Sequence, residues 1–308
     1  MAIKGIMRAG SVQLRVKEMG PAVRHYTEVL GLIKSHEGND GRVYLKAWDE
    51  HDHHSVVLRE AETAGMDHMA FKVSDNDALL GLEHALKNAG VILTEIPEGT
   101  DEVTGRRVRF TVPTGHTIEL YAEMERVGNG LSLDNPEVCP DGLKGMHPTR
   151  FDHCLLYGDD LDGSVKLFTE VLGLQMAEQV VTSDRKMLIG AFLTAATKPH
   201  DVAFIRSPEK NRFHHASFFV ESWSDLQLCA DIITKHRVPL DIGPTRHGIT
   251  RGGTIYFFDP SGNRNETFCG GYIHYPDRPT LTWTEDDLGR GIFYYDRKLN
   301  ERFLSVTT

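Results

Sequence analysis

Apolar positions along the chain switch between two periods, and the switches recur. Ser11–Arg15 alternates polar and apolar residues, the period of a half-buried strand. Over Ala22–Leu32 the spacing changes to three-to-four, with Val23, Tyr26, Val29 and Leu30 on one face of an amphipathic helix. Gly31 falls where such a helix ends in a left-handed residue. The same order returns later. His153–Tyr157 reads as a strand, and Ser164–Leu174 is a helix with Val165, Phe168, Val171 and Leu172 at the matching places and Gly173 as its stop. A second pair of strands, Met66–Val73 and Phe213–Val220, precedes predicted helices over 76–88 and 224–236. Val108–Leu120 pairs in the same way with Ile255–Thr267. Each half of the chain therefore reads as two βαβββ units, which predicts an α+β fold of four such units.

The repeat also sets the expected organisation. Residues 1–127 form an N-terminal pair of units without the chemistry, and 147–271 form a C-terminal pair that carries it. Residues 128–146, rich in Asn, Asp, Pro and Gly, read as the linker. Residues 272–308 have no repeat partner and read as an extension that closes over the C-terminal half.

Composition changes this picture little. At 308 residues, 40% hydrophobic and 25% charged, the chain suits two globular domains. A net charge of −10 without a basic block argues against nucleic acid as a partner. No apolar run approaches the ~18 residues of a membrane span, and the first residues do not read as a secretory leader. Cys139, Cys154, Cys229 and Cys269 lie apart without a Cys-x-x-Cys pair, so reduced thiols and a cytoplasmic location are expected.

Candidate chemistry sits on the C-terminal strands. His153, His215 and Glu266 each fall on a strand-like segment, and two imidazoles with one carboxylate suit one face of a divalent first-row ion. A lone strand histidine is more often a hydrogen-bonded interior residue than a ligand. The repeat tips the balance here. Fifty-one residues separate His215 from Glu266, and the same number separates His68 from Glu119. His153, however, corresponds to Ser11, so only the C-terminal half has a complete set, and His68 with Glu119 reads as an inherited remnant. His214 should face away from the metal, and Cys154 should pack, because strand side chains alternate. His51, His53 and His54 read as a solvated hairpin loop. His25, His84 and His236 read as surface positions on helices.

The run from Thr245 through His247, Tyr256, Asp259, Pro260 and Gly262 to Glu266, taken with the two histidines, resembles the type I extradiol ring-cleavage dioxygenases of the vicinal oxygen chelate superfamily. The resemblance spans almost the whole chain. It implies that paired βαβββ units curl into open, glyoxalase-like barrels. It implies Fe(II) held by His153, His215 and Glu266, with catechol or an alkylcatechol and O2 as substrates. It further implies that His200 acts as acid/base, that His247 hydrogen-bonds a substrate oxygen, and that Tyr256 bridges to the same oxygen. Close members of the family are homotetramers. A glyoxalase-type isomerase or thiol transferase shares the fold, but its metal set is richer in carboxylate or glutamine. A binding module of bleomycin-resistance type is about half as long and usually lacks the ligands.

Overall fold

The computed structural model describes residues 4–100 and 103–308. The first sheet contains β1 (Ile6–Val16), β2 (Ile33–Glu37), β3 (Val43–Lys46), β4 (Val56–Glu60), β5 (Gly65–Val73), β6 (Leu93–Ile96), β7 (Arg107–Thr111) and β8 (Thr117–Tyr121). Helix α1 (Met19–Arg24) follows β1, and α2 (Asn76–Asn88) follows β5. The second sheet contains β9 (Arg150–Gly158), β10 (Gln175–Val181), β11 (Leu188–Thr194), β12 (Val202–Arg206), β13 (Arg212–Phe219), β14 (Leu240–Arg246), β15 (Gly252–Phe258) and β16 (Arg264–Gly270). Here α3 (Leu161–Lys166) follows β9, and α4 (Trp223–Lys235) follows β13. Four βαβββ units in chain order result, as the repeat predicts.

The two sheets share one pairing plan. Strand order is β2-β3-β4-β1-β5-β8-β7-β6 in the first and β14-β15-β16-β13-β9-β12-β11-β10 in the second. In each, two units meet along an antiparallel seam, β1 with β5 and β9 with β13. Register fixes the correspondence between halves. Ser11 faces Ala70 and His153 faces Ser217, and both pairs sit beside a bulge in the seam. Ala70 in turn faces Glu119, as Ser217 faces Glu266. Ser11 and His153 are therefore structural equivalents.

The helices show why these sequences punctuate as they do. Asp75 caps α2 by accepting from the Ala78 N–H, and Ser222 with Asp225 forms a capping box on α4. α4 begins at Trp223 and α1 at Met19, each a little earlier than the periodicity indicates. α1 and α3 both continue into a widened turn, in which Leu30 N–H reaches the His25 carbonyl and Leu172 N–H reaches that of Leu167. Gly31 and Gly173 then leave the helix at φ of 85° and 77°.

A continuous apolar core crosses between the halves, with Phe71 edge-on to Phe168 at 5.9 Å. Polar ties stitch the same boundary. Ala9 N–H donates to Asp201 Oδ1 (2.9 Å), and Tyr26 O–H donates to Asp259 Oδ2 (3.1 Å). His25 is one of these ties rather than a surface residue. It is buried, and its Nε2 accepts from Asn265 Nδ2 at 3.0 Å. Helical periodicity cannot register a face that is covered by the other half of the chain.

The loop before β4 also departs from expectation. His51 is exposed, but His53 and His54 are buried, with their Nδ1 atoms 3.1 Å apart and Tyr44 beside them. Asp52 draws this loop inward by pairing with Lys72 (2.6 Å) and Arg8 (2.6 Å). His84 and His236 are exposed as expected.

Residues after Tyr272 wrap the second half. β17 (Leu281–Thr284) adds parallel to β10. α5 (Leu288–Ile292) and α6 (Glu301–Ser305) then place Phe293 and Phe303 against Tyr256.

Candidate metal centre

Three strands deliver the donor atoms. His153 comes from β9, His215 from the neighbouring β13 and Glu266 from β16 beyond it. All three are buried, and their donor atoms lie within 4.8 Å of one another. Glu266 Oε2 is 3.0 Å from His153 Nε2 and 3.3 Å from His215 Nε2, and the two ring nitrogens are 3.4 Å apart. Ligands about 2.1 Å from one ion at right angles are separated by about 3.0 Å, so this triangle fits a facial set. Glu266 Oε1 accepts from the Thr254 hydroxyl, whereas buried Oε2 has no hydrogen-bond partner. An orphaned carboxylate oxygen between two imidazoles is costly unless a cation satisfies it. The residues present therefore fit a divalent ion.

Two neighbours to which sequence reasoning assigned no role at the site orient the imidazoles. Asp152 Oδ2 accepts from His153 Nδ1 at 2.9 Å, and Asp152 is itself paired with Arg150 (2.9 Å) and Lys198 (3.5 Å). His214 turns away from the triad, as alternation predicts, but its Nδ1 lies 2.7 Å from His215 Nδ1. Their only signal was adjacency, in the Asp152-His153 and His214-His215 pairs. Cys154 packs in the core.

The ionisation pattern follows the neighbours. Burial pushes His215 down to about 4. Burial acts on His153 in the same direction, but the nearby carboxylates of Asp152 and Glu266 outweigh it and leave its pKa raised. Burial would raise the Glu266 carboxyl, yet His215 and His153 hold it well below the usual range. His200 and His214 are kept neutral at ordinary pH, chiefly by burial.

The remaining predicted residues gather around the triad. His200 packs on His153 with ring centres 3.9 Å apart and stands edge-on to Phe192. Tyr256 and His247 form a bonded pair, with Tyr256 Oη 2.8 Å from His247 Nε2. His247 Nδ1 donates to the Ile292 carbonyl in α5, which leaves Nε2 to accept the tyrosine proton. Burial and Glu266 push the Tyr256 hydroxyl well above 10. All six residues border one cavity of about 440 Å³, walled by Leu155, Ile189, Phe192, Ile249, Ile292 and Phe303. Its size and apolar lining suit a small aromatic ligand.

The equivalent place in the first half is built differently. Glu119 Oε2 lies 4.0 Å from His68 Nε2, but it accepts from Arg109 Nε at 2.5 Å. A guanidinium neutralises the carboxylate there. Among the described residues, His153, His215 and Glu266 form the one cluster able to hold a metal.

Residues 150–267 match the Glyoxalase/Bleomycin resistance protein/Dioxygenase superfamily, and residues 66–125 match the Catechol 2,3-dioxygenase-like N-terminal domain. The crystal structure of the 2,3-dioxygenase LapB from Pseudomonas sp. KL28 overlays with a TM-score of 0.90 at 47% identity, covering 92% of this chain and 99% of that one. The chain is 56% identical over 306 residues to the metapyrocatechase of Pseudomonas sp. (strain CF600), with 99% of each covered. It is 26% identical over 299 residues to a manganese-dependent 2,3-dihydroxybiphenyl 1,2-dioxygenase of Geobacillus genomosp. 3, with 94% of each covered. This chain belongs to the metapyrocatechase, or catechol 2,3-dioxygenase, family of extradiol dioxygenases. Relatives of this kind imply a metal cofactor.

Proposed function

We propose that this chain cleaves catechol with O2 at the bond beside the two hydroxyls, giving 2-hydroxymuconic semialdehyde in the breakdown of aromatic compounds. His153 Nε2, His215 Nε2 and Glu266 Oε2 are the ligands in this reading, and Fe(II) is the ion. Bound there, Fe(II) would supply Lewis acidity toward the catechol oxygens and a path for electrons between ring and dioxygen. The observation that carries the reading is the convergence of three buried donors, one of them an orphaned carboxylate oxygen, on an apolar cavity.

The chain's own groups divide the remaining work. Phe192, Ile249, Ile292 and Phe303 exclude water and sandwich an aromatic ring. His200, held neutral by burial, is a base within the same cavity and can take a substrate hydroxyl proton and return it. Tyr256 keeps its proton, which it gives to His247 Nε2 and would turn to a substrate oxygen once one enters the cavity. The first half, 1–127, serves as scaffold in this reading. A cytoplasmic homotetramer belongs to this reading through the family resemblance alone. No helix among the described residues is long and apolar enough to cross a membrane.

Oxygen uptake on adding catechol, formation of the yellow semialdehyde, and metal analysis of the purified protein test the whole reading. One iron per chain with stoichiometric O2 consumption is expected. An active protein that contains manganese would overturn the choice of Fe(II), since the same N/O donors suit both ions.

A further inference from the structure

We infer that His214 is a positioning residue for the metal centre: it fixes the proton of His215 on Nδ1, and it is itself fixed by the main chain of α6. This rests on the ligand assignment just made. The direction of each hydrogen bond follows from one end. The Phe303 carbonyl can only accept, so its 2.8 Å bond places a proton on His214 Nε2. A neutral imidazole then keeps its lone pair on Nδ1. His215 Nδ1, 2.7 Å away, must donate to that lone pair. The single proton of neutral His215 is thereby held away from the triad, and its Nε2 lone pair faces the place where Glu266 Oε2 and His153 Nε2 converge. The other tautomer would aim an N–H at the metal.

The relay is held rigidly along its length. His214 lies nearly parallel to Tyr157, 13° between planes at 5.1 Å, and Phe303 meets it edge-on at 4.8 Å. α6 is anchored from both ends. Asn300 Oδ1 accepts from Phe303 N–H (3.1 Å), Arg264 Nη1 donates to the Val306 carbonyl (2.8 Å), and Thr308 exchanges two main-chain bonds with Phe213. The contrast with His153 shows what is unusual here. Its orienting carboxylate is the adjacent residue, whereas His215 depends on a carbonyl 89 positions beyond His214. Closure of the C-terminal segment and readiness of one ligand are thus a single event. By linkage, metal binding must in turn steady α6.

The test compares wild type with His214→Phe and His214→Gln. Phenylalanine keeps the stack but has neither donor nor acceptor, while a glutamine amide carries both. Ferrous ion affinity is measured anaerobically by chelator competition, and amide hydrogen exchange over residues 300–308 is followed with and without Fe(II). His214→Phe should weaken Fe(II) binding roughly 10- to 100-fold, while His214→Gln stays within about threefold of wild type. Fe(II) should slow exchange over 300–308 in wild type and His214→Gln but not in His214→Phe. Wild-type affinity in His214→Phe would overturn the inference, as would an equal loss in His214→Gln, which would mean packing alone matters. Should His214→Phe fail to fold, His214→Asn replaces it, because its shorter amide reaches only one partner; affinity equal to that of His214→Gln would then overturn the relay. Unchanged affinity in His215→Ala would instead sink the ligand assignment itself, a separable failure.

Discussion

Acid should destabilise the fold through His25 and His116, which both lie on the boundary between the two halves. His25 accepts from Asn265, and His116 sits between the Thr114 hydroxyl and the Arg212 carbonyl. Both are buried, and burial lowers each from 6.5 to about 4. The unfolded chain therefore binds more protons than the folded one between pH 6.5 and 4. Stability must fall as pH drops through 6.5 and level off near 4. One pKa unit corresponds to about 1.4 kcal/mol, so each histidine costs about 2 kcal/mol of stability between pH 7.5 and pH 5. Urea unfolding of metal-free protein at several pH values in that window, for wild type, His25→Gln, His116→Gln and the double variant, measures it. Other buried histidines add to the wild-type slope, so the informative quantity is the flattening on substitution. A double variant that loses stability with acid as steeply as wild type would refute the reasoning.

Further outcomes concern the metal centre. His153→Ala, His215→Ala and Glu266→Ala should each lose iron and turnover, read by elemental analysis and semialdehyde formation. His200→Ala should keep iron and a near-normal KM while kcat falls by roughly 10²-fold or more. Tyr256→Phe leaves His247 Nε2 without its donor, about 1–2 kcal/mol, and should lower kcat/KM by about 5- to 30-fold without loss of iron. His68→Ala should leave iron content and turnover unchanged, since Glu119 is held by Arg109.

What could be read from the sequence was local or repeated. Strand and helix periods recur twice in nearly the same letters, so the four βαβββ units were legible. The spacing shared by His215–Glu266 and His68–Glu119 exposed the candidate donors. What stayed hidden depends on distant segments. His25 looks like a surface residue until the second half covers it, and His53 and His54 look solvated until Asp52 pulls their loop onto the barrel. His214 was read correctly as facing away, yet its value lies in its contact with Phe303, a residue in a segment with no repeat partner. Alternation along a strand gives the side a residue faces, and nothing about what a second ring nitrogen meets there.

The arginine at the first-half carboxylate has an evolutionary consequence. A chain built from repeats can let one donor set decay only if the carboxylate left behind finds another positive charge. Arg109 supplies it, 2.5 Å from Glu119. Decay of this kind is hard to reverse. Restoring histidine at Ser11 would bring a third donor to a carboxylate whose charge is already matched, and an incoming cation would meet a guanidinium in its way. Return requires losing Arg109 in the same step, while losing it alone leaves the buried carboxylate with only the more distant Arg107, 3.9 Å away. In the proposed function the arginine works as a ratchet that leaves the first half free to change as scaffold.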